Sequence, residues 1–366
     1  MTQRILFVID SFHDLCEGYF FREVLSSLLR NDLEIRIVVT QSRHPGNELL
    51  RAATEHLPME IDLVPRRFHW DPACAAGIRG VAHRFAADVL HSWGDSTLAI
   101  AGLASCGARW KHIANKFNLY PVSLADRLAF RRTAVILVNH ASVRGVLDQD
   151  GCGDSVQVLH MGAPLAKFDN VQGTLDSLRD RYEIPEDLFL IGARADFLPV
   201  NRLKDLLWAT DLLQTIRSDF RFLLFGNGPQ RWRLKRFARQ SHADRKTIFL
   251  PATENLLPWF RELDLYWHSF EYDPCPFEIA AATRGGCPTL APRLLGESGV
   301  IHDSLNGLMF DVGQRDQIAR ITNALLNEPD KLELLKQSTF SLAEERDIQT
   351  TAEQLVQAYR TCGNPS

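Results

Sequence analysis

Short apolar runs alternate with amphipathic stretches along this 366-residue chain, and the alternation predicts strand-helix-strand units that build mainly parallel sheets. In the first half the runs RILFVID, LEIRIVVT, DVLHSW, KHIANK, AVILVN and VQVLHM read as buried strands, and FFREVLSSLLRN reads as a helix before the second of them. The longest apolar run, TLAIAGLASCGA at 97–108, is glycine-broken and too short to cross a bilayer, so a buried helix is expected there. The polar segment GAPLAKFDNVQGTLDSLRDRYEIPED, with few large apolar residues, is expected to connect two domains. Beyond it a second series runs FLIGARA, FRFLLFG, TIFLP, LDLYWHS, PTLAP and GLMFDV, with helices at LKDLLWATDLLQTIR and PQRWRLKRFARQ. The pattern predicts an α/β protein of two doubly wound, Rossmann-like domains, 1–168 and 169–350, facing each other across a cleft. The last helix, AEQLVQAYRT within 351–366, is expected to cross back onto the first domain.

Length agrees with two cores, since a single hydrophobic core stops growing well below this size. With 45% hydrophobic and 23% charged residues and a formal charge of −4, the chain lacks the basic excess that sequence-independent binding of nucleic acid requires. Its seven cysteines are scattered and form no C-x-x-C pair, which argues for reduced thiols in a cytoplasmic protein over a disulfide framework or a zinc site. The opening MTQRILFVID reads as a first strand and not as a signal peptide.

In doubly wound sheets ligands sit beyond the carboxyl ends of the strands, so the turns there carry the candidates. LLFGNGPQ places Gly226 and Gly228 after a strand and Pro229 at a helix start, a geometry that suits close approach to an anion and equally a plain tight turn. GARADFLPVNRLKD brings Arg194, Arg202 and Lys204 just past another strand, where guanidinium groups suit a diphosphate or simply face solvent. In DPCPFEIAAATRGGCPTLAP, Pro276 suits the first helical position and Gly285 or Gly286 the stop, which aims the helix dipole at the neighbourhood of Asp273. Glu271 and Glu278 lie nearby, as candidates for ligand contact or as ordinary helix-start carboxylates. His91 and Trp93 in DVLHSWGD sit at a strand end, where a hydrogen-bonded structural histidine competes with an acceptor-facing one. The basic helix RWRLKRFAR, with Trp232, Leu234 and Phe237, suits weak contact with a membrane surface or a solvated face. No metal-ligand spacing, G-x-S-x-G elbow or Walker loop is present.

The ordered series ILFVID, ADVLHSWG, AVILVNHASVRGVLDQDG, VQVLHMGAPLAKF, LRDRYEIPEDLFLIG, LKDLLWATDLL, FRFLLFGNGPQ, TIFLP, LDLYWHS, DPCPFEIAAATRGGCPTLAP and NGLMFDV resembles the family 4 retaining glycosyltransferases of the GT-B fold over nearly the whole chain. The resemblance implies sugar transfer from a nucleotide-diphosphate donor with retention of configuration, no required metal and no cofactor. Domain 1–168 would then be the acceptor side and 169–350 the donor side. It also implies a donor diphosphate held by an Arg and a Lys after the first strand of the second domain, and by the helix after an acidic loop. That loop and helix carry two glutamates eight apart, followed by G-x-P. Counting back from Gly286-Cys287-Pro288, this chain has Asp273 and Ala281 at the glutamate positions. Phe197-Leu198-Pro199 likewise places Asp196 and Asn201 at the Arg and Lys positions, leaving Arg194 and Arg202 as neighbours able to stand in. Near the N-terminus the family's glycine pair is reduced to Gly18, and Asn115 and Lys116 come nearest to its strand-end histidine.

Two readings follow. In the first, the chain is a retaining nucleotide-sugar glycosyltransferase acting on a glycan or lipid-linked acceptor in polysaccharide or glycoconjugate biosynthesis, in the cytoplasm or peripherally at the inner face of a membrane. Arg194, Arg202 and Lys204 would then hold phosphate, Gly226, Gly228 and Gly286 would line the donor, Asp273 and Glu278 would carry the chemistry, and Gly18, His91 and Trp93 would face the acceptor. In the second, the substitutions at Asp196, Asn201 and Ala281 mark a catalytically degenerate relative that binds a nucleotide or glycan as a scaffold or regulator.

Overall fold

The structure, a computed structural model, describes residues 2–10, 15–40, 57–117, 122–139, 141–149, 151, 155–163, 177–251, 257–270, 277–293, 301–342 and 347–363. The chain divides into two compact units, one made of Met1–Gly162 with Ile348–Ser366, the other of Ala163–Asp347.

Unit 1 is built on a seven-stranded sheet: β1 (Gln3–Ile9), β2 (Leu33–Val39), β3 (Glu60–Leu63), β4 (Val89–Trp93), β5 (Lys111–Lys116), β6 (Val135–Val138) and β7 (Val156–Val158). The spatial order is β3-β2-β1-β4-β5-β6-β7 and the pairings are parallel. Continuous burial of Ile5–Ile9 and Val89–Trp93 fits central strands covered on both faces. The covering helices are α1 (Leu15–Leu28), α2 (Pro72–Phe85), α3 (Leu98–Ala104), α4 (Leu124–Phe130) and α5 (Ala141–Gln149). Asp71 caps α2 by accepting from the Ala73 amide, ahead of Pro72 at the first helical position. Within the apolar run at 97–108 only Leu98–Ala104 is α-helical, forming α3, which is buried except at Leu103.

Unit 2 repeats the plan with six strands: β8 (Phe189–Arg194), β9 (Phe220–Phe225), β10 (Thr247–Leu250), β11 (Leu265–Trp267), β12 (Thr289–Pro292) and β13 (Gly307–Phe310). Their order is β10-β9-β8-β11-β12-β13, again parallel. Its helices are α6 (Leu178–Arg181), α7 (Leu203–Gln214), α8 (Arg231–Gln240), α9 (Leu257–Phe260), α10 (Phe277–Arg284), α11 (Arg315–Leu326) and α12 (Pro329–Ser341). One core joins strands β8, β9, β11, β12 and β13 to helices α7, α8, α11 and α12 through residues such as Phe197, Leu206, Phe222, Trp267, Leu234, Ile318 and Leu332. The final helix, α13 (Ile348–Gly363), belongs to unit 1, where Gln3 Nε2 donates to the Tyr359 carbonyl at 2.8 Å and Gln349 reaches Ser27 Oγ at 3.2 Å.

In each sheet the sequence order reverses direction beside the first strand, between β1 and β4 in unit 1 and between β8 and β11 in unit 2. Crevices at such switch points, beyond the carboxyl ends of the strands, are where doubly wound folds place ligands. Among the described residues no helix is long and apolar enough to cross a membrane.

Candidate functional site

In unit 2 the switch point is bounded by Arg194, the last residue of β8, and by the chain leaving β11 toward α10. Arg194 Nη1 donates to Glu278 Oε1 in the first turn of α10, and the two side chains are only 9% and 6% exposed. The residue falls there because β8 and β11 are hydrogen-bonded neighbours, so the ends of strands far apart in sequence emerge side by side. Arg194 Nε is buried without a hydrogen-bond partner among the described residues, so the guanidinium keeps donor capacity beyond the ion pair. The Tyr266 hydroxyl donates to the Arg194 carbonyl at 3.4 Å. His268, just past β11, is held neutral by burial, which lowers its pKa to about 3.

The other candidate cations have their own partners. Arg202, at φ 51° before α7, donates to Asp205 Oδ2 at 2.9 Å, and Asp205 Oδ1 accepts from Arg315 Nε at 2.6 Å. Lys204 is exposed and lies 5.7 Å from the centre of the Phe237 ring, so it packs on α8. Asn201 is buried and its amide donates to the Asp196 carbonyl at 2.7 Å, while the Ser269 hydroxyl donates to the Asn201 carbonyl. The loop after β8 is thereby tied to itself and to the end of β11.

The glycine turn after β9 makes room for protein backbone. A Cβ at Gly226 (φ 147°) would lie 1.9 Å from the Ala195 carbonyl oxygen, and one at Gly228 (φ 150°) would lie 2.8 Å from the Phe197 nitrogen. That approach lets Phe197 N donate to Asn227 O at 2.8 Å and Gln230 N donate to Phe197 O at 3.0 Å, which locks two strand-end loops together. Gly286, at φ 70°, ends α10: its amide bonds the Thr283 carbonyl at 3.1 Å and the next amide, Cys287 N, bonds Ala282 O at 2.8 Å. It stands at the helix end opposite the one that carries Glu278. Ala281 is 1% exposed, inside a helix whose residues 279–282 are all buried, so its face is core. Asp273 and Glu271 lie outside the described residues.

Unit 1 gives its candidates structural partners. His91 is fully buried; its Nδ1 lies 2.7 Å from the Tyr359 hydroxyl and its Nε2 2.9 Å from Asn115 Oδ1, which links β4, β5 and α13. The Asn115 carbonyl can only accept, so Nε2 carries the proton and Nδ1 accepts from the tyrosine. Burial lowers the His91 pKa to about 4 and keeps the ring neutral. Trp93 is 3% exposed among Phe7, Phe20, Phe21, His91 and Phe117, with its indole nitrogen lacking a hydrogen-bond partner among the described residues. Gly18 is buried within α1. Ser92 and Thr133 each lie 3.0 Å from a ring nitrogen of His112; all three are core residues, so this Ser-His contact is closed to a substrate.

Two ion pairs not anticipated from sequence, each with one buried and one half-buried member, line the carboxyl edge of this sheet. Asp10 accepts from Arg66 at 2.7 Å and from the Thr40 hydroxyl at 2.7 Å, and Lys116 lies 2.9 Å from Asp95. Burial pushes the Asp95 carboxyl up, opposed by Lys116 and by the Phe117 amide. No group of three or more His, Cys, Asp or Glu arranged for a metal is found among the described residues.

Paired parallel Rossmann-like sheets with this strand order define the GT-B fold. The structure is similar to a glycosyltransferase from Rickettsia africae at a TM-score of 0.85 and 13% identity, covering 100% of each chain. It is also similar to the Anabaena protein HepE in complex with UDP, at a TM-score of 0.82 and 17% identity over 98% of this chain and 100% of that one. Residues 176–340, most of unit 2, match the family model of glycosyl transferases group 1. A stretch of 98 residues is 32% identical to a GDP-mannose-dependent alpha-mannosyltransferase of Corynebacterium glutamicum; it makes up 26% of this chain and spans only 22% of that relative.

Proposed function

We propose that the protein is a nucleotide-sugar-dependent glycosyltransferase of the retaining kind, transferring a sugar from a nucleotide-diphosphate donor to a glycan or lipid-linked acceptor in polysaccharide or glycoconjugate assembly. The observation that carries this reading is the glycosyl transferases group 1 match over 176–340, on a unit whose switch point holds a buried arginine with unused donor capacity. In such a transfer negative charge builds on the leaving diphosphate, and preorganised donors aimed at that charge lower the barrier most. Arg194, oriented by Glu278, supplies such donors without having to reorganise during the reaction. Arg202, whose carboxylate partner Asp205 is shared with Arg315, is proposed as a second cation for the diphosphate. Asp273 is proposed to contact the transferred sugar. A UDP complex of one similar structure and the GDP-mannose dependence of one relative support a nucleotide donor without choosing the base.

The second reading, a non-catalytic nucleotide or glycan binder, draws on the partners that two candidate cations already have, Arg202 on Asp205 and Lys204 on Phe237, and on Ala281 lying in the core. Incubation with a panel of nucleotide-diphosphate sugars, followed by assay of nucleoside diphosphate release without acceptor, separates the two. Release from one donor, with the released sugar first appearing in the donor's own anomeric configuration, is the expected result. Binding of donor with no release under any condition would leave only the second reading.

A further inference from the structure

Residues 231–246 hold seven Lys and Arg and a single acid, Asp244, in a chain whose formal charge is −4. Helix α8 supplies five of those cations and no acid. On the helix, Leu234 and Ala238 are buried, and Phe237 packs on the core with its ring stacked 6.2 Å from that of Trp208. At about 3.6 residues per turn, the opposite face carries Trp232, Lys235, Arg236 and Arg239, with Arg233 beside it. All five are exposed, Trp232 by 64%, and Arg236 lies 5.6 Å over the Trp232 ring. Among the described residues Arg233, Lys235, Arg236 and Arg239 enter no ion pair, unlike the arginines at the switch points. Folding therefore leaves them without an acidic partner, although Lys235 lies 5.7 Å from the centre of the Phe249 ring, and an exposed indole stands among them.

We propose that this face of α8 docks on an anionic lipid bilayer. An indole belongs at the headgroup level of a membrane, with one face apolar and its N–H wet, and each neighbouring Lys or Arg is drawn to a negative leaflet. One aromatic centred among long cationic side chains on a ten-residue helix suits a flat surface. A nucleic acid strand would instead call for a cationic track with successive stacking rings, and this face carries a single exposed ring. The surface lies outside the switch-point residues of the proposed transferase site, so it stands or falls separately from that reading.

Sedimentation of the full chain with vesicles tests it, comparing phosphatidylcholine alone with phosphatidylcholine carrying about one-third phosphatidylglycerol. Binding is expected only to the anionic vesicles and weakens with added salt. Replacing Arg233, Arg236 and Arg239 together by Gln should lower the partition coefficient by about a hundredfold, near fivefold for each cation. Arg320→Gln, which removes one cation elsewhere, on the exposed surface of α11, is the single-charge control and should leave binding nearly unchanged. Quenching of tryptophan fluorescence by brominated lipid should vanish in Trp232→Phe, a substitution of an exposed ring that leaves folding intact. Equal binding to neutral vesicles, full binding by the triple variant, or a single-stranded RNA probe held more tightly than anionic vesicles would each overturn the proposal.

Discussion

Glu278→Ala should destabilise unit 2 far more than an ordinary surface substitution, whereas replacing both members of its ion pair should not. The two side chains are 9% and 6% exposed, and Arg194 Nε already lacks a partner. Removing the carboxylate therefore strands a guanidinium away from water, which costs about 3–5 kcal/mol for a buried pair broken on one side. In a domain of this size each kcal/mol lowers the melting temperature by about 2–4 °C, so the expected drop is roughly 10 °C. Arg194→Met with Glu278→Leu removes both charges while keeping the volume, and should return stability to within about 1 kcal/mol of the parent or above it. Scanning calorimetry on the parent, both single variants and the double variant closes the cycle, with the transition of unit 2 followed separately because two units need not unfold together. A loss below about 1 kcal/mol in Glu278→Ala would show that water screens the pair and would refute the reasoning.

Gly226→Ala puts a Cβ 1.9 Å from the Ala195 carbonyl at φ 147°, and thermal unfolding should register a loss above about 3 kcal/mol. Gly94→Ala, at φ 90° and ψ 153° with nothing within 4 Å, should lose about 1–3 kcal/mol, the backbone cost alone. Stability should also fall on acidification. Burial holds His91 at about 4, and His112 and His268 at about 3, below the ordinary 6.5, so the unfolded chain takes up protons that the folded chain refuses. Their contribution is complete above about pH 6.5 and is lost as pH falls toward 4, at roughly 1.4 kcal/mol per pH unit for each proton. Denaturant midpoints measured across that window check this, and His91→Gln should flatten the slope by about one proton.

The strands that form the centre of each sheet could be read from their apolar runs because they are covered on both faces. β3 could not: its sequence EIDL is mostly exposed at the sheet edge, held by Arg36 pairing with Glu60 and Asp62. Helix α2 was equally faint, since Gly77 and Gly80 interrupt its helical signal. Gly77 is required by contact, as a Cβ there would meet Val64 Cγ1 at 2.5 Å. At the candidate site the sequence supplied Arg194 and Glu278 but not their union, which spans 84 residues and exists only because β8 and β11 pair. A G-x-G turn reads alike whether its glycines admit a ligand or a neighbouring loop; at Gly226 and Gly228 the neighbour is the chain's own backbone. The same ambiguity hid Asp205, whose role as the shared partner of Arg202 and Arg315 joins residues up to 110 apart.

The claim that unit 2 takes a nucleotide diphosphate through Arg194 is tested most directly by calorimetric titration of the parent and of the Arg194→Met, Glu278→Leu double variant, which keeps the fold while removing the cation. Each is titrated with UDP and GDP and with the corresponding nucleosides. A charge-assisted contact worth about 1.5–3 kcal/mol predicts that diphosphate binding weakens ten- to a hundredfold in the variant while nucleoside binding holds. Equal diphosphate affinity in the two proteins would contradict it.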